Sequence, residues 1–167
     1  AQKSEQVTHG ARARNAVYSP DGNTVLFITT ENGQTQIRTL DLKTKQIQFV
    51  INSGLGNRYE SVVFENQNQI LATKFDADGK SQLYRIDVQS KVENLVNLNL
   101  KQIRFIKKTN NSYYFVSAEN GVNNVYVSHD LKSAKAITHV LSGIWSFEVS
   151  PEEKTIWGSL LTGSGFR

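Results

Sequence analysis

The sequence contains no cysteine, which excludes a disulfide framework, a thiolate metal site and a cysteine nucleophile. Histidine is nearly as scarce, with only His9, His129 and His139 to carry acid–base or metal chemistry. No apolar run approaches the ~18 residues that a membrane-spanning helix needs, so no membrane insertion of this segment is expected. Nor does charge of one sign prevail. Nineteen Lys and Arg stand against 15 Asp and Glu, a formal +4 spread along the chain, whereas nucleic-acid binders present a clustered basic face. No window sustains the 3.6-residue apolar period of an amphipathic helix. The Ala1-Gln2 opening shows no charged and apolar leader, so a targeting peptide is expected to have been removed or to lie outside the sequence.

What remains is an ordinary globular composition, 38% hydrophobic and 20% charged over 167 residues, enough for one core. It is organised as an internal repeat. Gly33, Gly79 and Gly121 each precede a short β-rich segment, Gln36-Ile37-Arg38, Gln82-Leu83-Tyr84 and Asn124-Val125-Tyr126, and each segment is followed by an aspartate, Asp41, Asp87 and Asp130. Ser19-Pro20-Asp21-Gly22 returns as Ser150-Pro151-Glu152-Glu153, three periods later. A period of about 40–45 residues built from short β segments is the pattern of a propeller blade. Thr24–Thr29 and Ser112–Ser117 are dominated by β-branched and aromatic residues, as a half-buried or buried strand requires. Asn32-Gly33 and Asn120-Gly121 supply the positive φ of a tight hairpin turn, and Asp78-Gly79 does the same in the middle repeat.

The run of aromatic, Ser-Pro-Asp-Gly, apolar strand, Gly turn, second strand and Leu-Asp-Leu, best seen from Tyr18 to Lys45, resembles the TolB-type (WD40-like) propeller repeat. Tyr59 to Ser90 and Gln102 to Lys132 share its strand layout without the Ser-Pro-Asp-Gly turn. The resemblance implies an all-β propeller of four-stranded antiparallel blades in a single domain or fragment, 1–167. Repeats are expected near 15–51, 59–96, 102–138 and 144–167, with 1–9 as the last strand of a preceding blade. Blade four is expected to stop before a third strand forms. A piece of a larger propeller is the preferred reading, a four-bladed ring the alternative, and open blade edges would favour self-association.

Candidate chemistry is sparse, and no catalytic, cofactor-binding or metal-ligating residue is assigned. His9 and His139 occupy one repeat position and read as polar residues after a strand. His129 and Asp130, as neighbours at a strand end, point to opposite faces. Leu161-Thr162-Gly163-Ser164-Gly165 lacks the first glycine of a nucleophile elbow. Asp76-Ala77-Asp78-Gly79 lacks the later ligands of a calcium loop and reads as a hairpin turn, and Gly54-Leu55-Gly56 reads as a loop between blades. Arg12, Arg14, Lys101, Arg104, Lys107 and Lys108 are expected to be solvent-facing, and Trp145 and Trp157 to pack between blades. The resemblance implies a non-enzymatic module in the periplasm or another extracytoplasmic site, binding a protein partner. The alternatives are the substrate-filtering propeller of a prolyl oligopeptidase-like peptidase, or a sensor domain.

Overall fold

The described residues pleat into fifteen strands because the apolar residues alternate at a period of two and glycine or polar turns interrupt them every few residues. The computed structural model describes residues 6, 8, 10, 12–162 and 165–166; the proposed strand at 1–9 and His9 fall largely outside them. The strands are β1 (Arg14–Tyr18), β2 (Thr24–Glu31), β3 (Gln34–Asp41), β4 (Ile47–Asn52), β5 (Arg58–Phe64), β6 (Gln69–Phe75), β7 (Ser81–Asp87), β8 (Glu93–Val96), β9 (Arg104–Lys108), β10 (Tyr113–Ser117), β11 (Asn124–Ser128), β12 (Lys135–Ala136), β13 (Ile144–Val149), β14 (Ile156–Thr162) and β15 (Gly165–Phe166). They form antiparallel meanders in the orders β1-β2-β3-β4, β5-β6-β7-β8, β9-β10-β11-β12 and β13-β14-β15, here called blades 1 to 4. No helix long and apolar enough to cross a membrane occurs among the described residues.

Blade 4 departs from the sequence reading, because a third strand does form. Leu161 pairs with Phe166 and Thr162 with Gly165, Gly165 takes φ 108°, and the Thr162 hydroxyl donates to the Gly165 carbonyl at 2.7 Å. A glycine conformation and a side-chain bond to the backbone close this hairpin in only a few residues.

Period-two alternation sends one set of side chains to each neighbouring blade. In blade 2, Val62, Ile70, Ala72 and Ile86 pack against Leu26, Ile28, Ile37 and Val50 of blade 1. The alternate residues Val63, Leu71, Leu83 and Val96 pack against Ile103, Ile106, Phe115 and Tyr126 of blade 3. Tyr114, Val116, Val125 and Val127 then meet Ile144 and Phe147 of blade 4. Each fully buried side chain of this kind contributes about 1.5–3 kcal/mol, so the interfaces between sheets are the core of the molecule.

The first strand of each blade lies innermost, β1 packing on β5, β5 on β9 and β9 on β13. All four carry one extra residue against their second strand, Asn15, Glu60, Phe105 and Trp145, between register pairs such as Tyr59↔Lys74 and Ser61↔Thr73. Such bulges release a backbone N–H from the ladder and re-aim side chains. The freed donors are taken up by the preceding blade: Val62 N–H donates to Asn15 Oδ1 and Ile106 N–H to Ser61 Oγ, both at 2.8 Å. The residue two beyond each repeated glycine makes a second tie to the next blade, for Thr35 Oγ1 accepts the N–H of Tyr59 at 2.6 Å and the carbonyls of Ser81 and Asn123 accept the N–H of Ile103 and Ile144, both at 2.9 Å.

Candidate functional site

The four inner strands run in the same direction, so each end of the bundle gathers equivalent residues from successive blades. At the C-terminal ends lies a depression of about 460 Å³. Blade 1 supplies Val17, Tyr18 and Pro20, blade 2 Val63 and Phe64, blade 3 Lys108, Thr109 and Asn110, and blade 4 Val149 and Pro151. Tyr18 is 70% exposed, although it ends a strand whose neighbours are packed. A large amphipathic ring held on a rigid strand end and left in water costs hydrophobic free energy that a partner would recover.

The turns around this mouth are fixed by side chains. Ser19 Oγ donates to Asp21 Oδ1 at 2.6 Å, Asn23 donates to both Asp21 oxygens, and Gln67 of blade 2 reaches Asp21 Oδ2 at 3.2 Å. The Ser19 hydroxyl, followed by the Asn23 backbone, holds the Asp21 carboxyl down to about 2. In blade 4 the corresponding turn offers Glu153, at φ 59°. Glu153 accepts from Thr109 Oγ1 (2.5 Å), Ser112 Oγ (2.7 Å) and Tyr114 Oη (3.2 Å) of blade 3, and these hydroxyls, Thr109 first and Ser112 next, lower its pKa. Ser112 Oγ also lies 3.0 Å from His129 Nδ1.

A serine, a histidine and a glutamate from distant parts of the sequence therefore meet, which adjacency along the chain gave no sign of. Their order is not that of an activated nucleophile, in which the carboxylate orients the imidazole and the imidazole takes the serine proton. Here the serine is in the middle, donates to the carboxylate and is 1% exposed. The arrangement ties blade 3 to the turn of blade 4.

The repeated aspartates also find their purpose in turns. Asp41 Oδ1 accepts the N–H groups of Lys43 and Thr44, Asp87 Oδ1 those of Gln89 and Ser90, and Asp130 Oδ1 those of Lys132 and Ser133. Backbone donors favour the charged form, and all three carboxyls are shifted down, chiefly by Thr44, Ser90 and Lys132 respectively. Asp41 and Asp87 end their strands, whereas Asp130 lies two residues beyond Ser128, the last residue of β11. It repeats the motif in a shifted turn, so His129 also lies in the turn, outside the strand geometry that its neighbour suggested.

The remaining sequence candidates are dispersed. Asp76 Oδ1 accepts from Asp78 and Lys80 N–H as a hairpin turn, Gly54 and Gly56 lie in the β4–β5 connection at φ 79° and 75°, His139 is exposed, and Ser164 lies outside the described residues. One expectation is corrected. The basic run is not simply solvent-facing: Arg104 makes a bidentate pair with Glu60 of blade 2, and Lys107 Nζ reaches Glu148 of blade 4 at 2.6 Å, because a bulged inner strand aims its charges at both neighbours. Trp145 and Trp157 lie outside the interface with blade 3, where Ile144, Phe147, Val149, Ile156 and Leu160 pack, and are 44% and 58% exposed.

No protein-family model matches the sequence, and no match was found among curated proteins. Solved structures do match. TolB from Acinetobacter baumannii is 18% identical with a TM-score of 0.75, over 94% of this chain and 40% of that one. A TolB-like protein from Agrobacterium tumefaciens is 18% identical at TM-score 0.74, over 92% of this chain and 56% of that one. A puromycin-hydrolyzing peptidase from Mycobacterium tuberculosis is 9% identical at TM-score 0.75, over 93% of this chain and 27% of that one. The fold is thus of the TolB propeller type, and the chain spans about half the length of the TolB structures, or less.

Proposed function

We propose that this TolB-type propeller chain is a non-enzymatic interaction module of an extracytoplasmic protein, and that it seats a protein partner at the mouth formed by Tyr18, Phe64, Asn110 and Pro151. The observation that carries this reading is the convergence of four strand ends on one depression with a tyrosine left 70% exposed on its wall. Hot spots favour such rigid aromatic anchors ringed by polar groups. The non-enzymatic part is supported by the commitment of the Ser112 hydroxyl to Glu153.

The test is site-specific photo-crosslinking from residues 18, 110 and 151, with position 92 on the outer rim as control. The reading requires one and the same partner from all three mouth positions and none from the rim; capture from the rim alone would overturn it. A second reading, the filtering propeller of a peptidase, is favoured by the TM-score to the Mycobacterium tuberculosis peptidase, equal to that for the Acinetobacter baumannii TolB. On that reading the species captured at the mouth is a catalytic domain of the same polypeptide.

A further inference from the structure

The opposite ends of the inner strands carry a different chemistry. Arg14, Arg58 and Arg104 begin three successive inner strands and so stand on the side of the hairpin glycines Gly33 and Gly79, away from Tyr18. Arg104 is paired with Glu60 through Nε and Nη2. Arg14 spends its donors on the main-chain carbonyls of Tyr59 and Glu60, at 2.9 and 3.1 Å. Arg58 stacks on the Phe75 ring with its guanidinium carbon 4.3 Å from the centroid, and Arg104 lies 5.2 Å from the same centroid. Two cations thus share one ring, and among the described residues Arg58 has no carboxylate partner. Burial lowers the Arg14 pKa, Glu60 opposes that shift, and the nearby Arg58 charge adds a smaller lowering.

Beside Arg58 opens a depression of about 420 Å³, whose wall includes Phe75, Asp76, Gly33, Gly56 and Gly79. At Gly33 and Gly79, on the wall of this depression, a Cβ would meet nothing within 4 Å. Among the described residues Asp76 is the one carboxylate on this wall, and its Oδ1 is already held by two backbone N–H groups. Glu60 and Asp76 stand against the three arginines, and Asp78 and Lys80 of the same turn offset each other, which leaves one positive charge in excess.

We infer that this arginine-lined mouth binds an acidic peptide segment, whose carboxylate takes the N–H edge of Arg58 while the face of the guanidinium stacks on Phe75. A guanidinium fork matches a carboxylate in two parallel hydrogen bonds, and stacking on an aromatic ring pre-organises the fork. The inference is independent of the Tyr18 mouth, which lies at the other end of the inner strands.

The test is fluorescence anisotropy with a labelled tetraglutamate peptide at low salt, using the intact chain. Saturable binding is expected, displaced by unlabelled tetraglutamate and not by tetraglutamine. Arg58→Glu should weaken it at least about tenfold, because the charge-assisted pair is reversed. Lys43→Glu makes the same change of net charge in the β3–β4 turn on the Tyr18 side, and should leave binding within about twofold. Phe75→Leu keeps every charge while removing the stacking platform, and should weaken binding several-fold. Arg58 is exposed, so its variant should keep the wild-type urea midpoint; were it to unfold, Arg58→Gln would carry the comparison. Absence of saturable binding, equal loss in Lys43→Glu, or stronger displacement by an oligonucleotide of equal charge than by tetraglutamate would each overturn the inference.

Discussion

Asp41, Asp87 and Asp130 show how a repeated residue can be structural without being a ligand, since each uses one carboxylate oxygen to hold two successive backbone N–H groups in a turn. Asp21 is the most shifted of the turn aspartates, about 2 against an ordinary 3.8. A carboxyl whose folded pKa is depressed contributes stability above its unfolded pKa and loses it as pH falls through the folded one. The urea midpoint of the wild type should therefore exceed that of Asp21→Asn at neutral pH, with the gap closing between pH of about 4 and 2; a gap independent of pH would contradict the turn assignment. Gly33 and Gly121 sit at φ 75° and 80°, where a β-branched side chain is strained. Val at either position should destabilise the chain by about 1–2 kcal/mol, read as a lowered urea midpoint. The first turn was legible in advance because Asn32-Gly33 states a backbone conformation directly, both residues taking positive φ; Asn120-Gly121 instead lies in a six-residue loop between Ser117 and Asn124, where only the glycine takes positive φ.

Strands were legible almost as well, and for a local reason. In Thr24-Val25-Leu26-Phe27-Ile28 the residue type alone says that both faces are apolar, and the turns on either side limit its length. The bulges left no such mark. Asn15, Glu60, Phe105 and Trp145 share a position but no chemistry, and none is a glycine, so the extra residue appears only when the strands are paired. Asn15 is the testable case, because its Oδ1 satisfies the Val62 N–H that blade 2's own bulge releases. Asn15→Ala should cost about 1–3 kcal/mol by leaving that donor unmet, whereas Asn15→Asp keeps an acceptor and should cost less. Equal urea midpoints for the wild type and Asn15→Ala would remove the bulge from the account of blade packing.

At the scale of the molecule, the contacts that sequence could not show are those between blades. Arg104 and Glu60, or Ser112, His129 and Glu153, are brought together by the angle of one sheet on the next, and no local period encodes that angle. Far-ultraviolet circular dichroism should show strand with less than a quarter helix, consistent with a described chain made of strands and turns. The functional account rests on the Tyr18 mouth. Titrating the isotopically labelled chain with the partner captured from that mouth, and following every backbone amide by NMR, tests the claim directly. The account predicts shifts grouped at Tyr18, Phe64, Asn110 and Val149 from four blades at once; shifts confined to the Gly33, Gly79 and Gly121 turns, or to the outer strands β4 and β8, would contradict it.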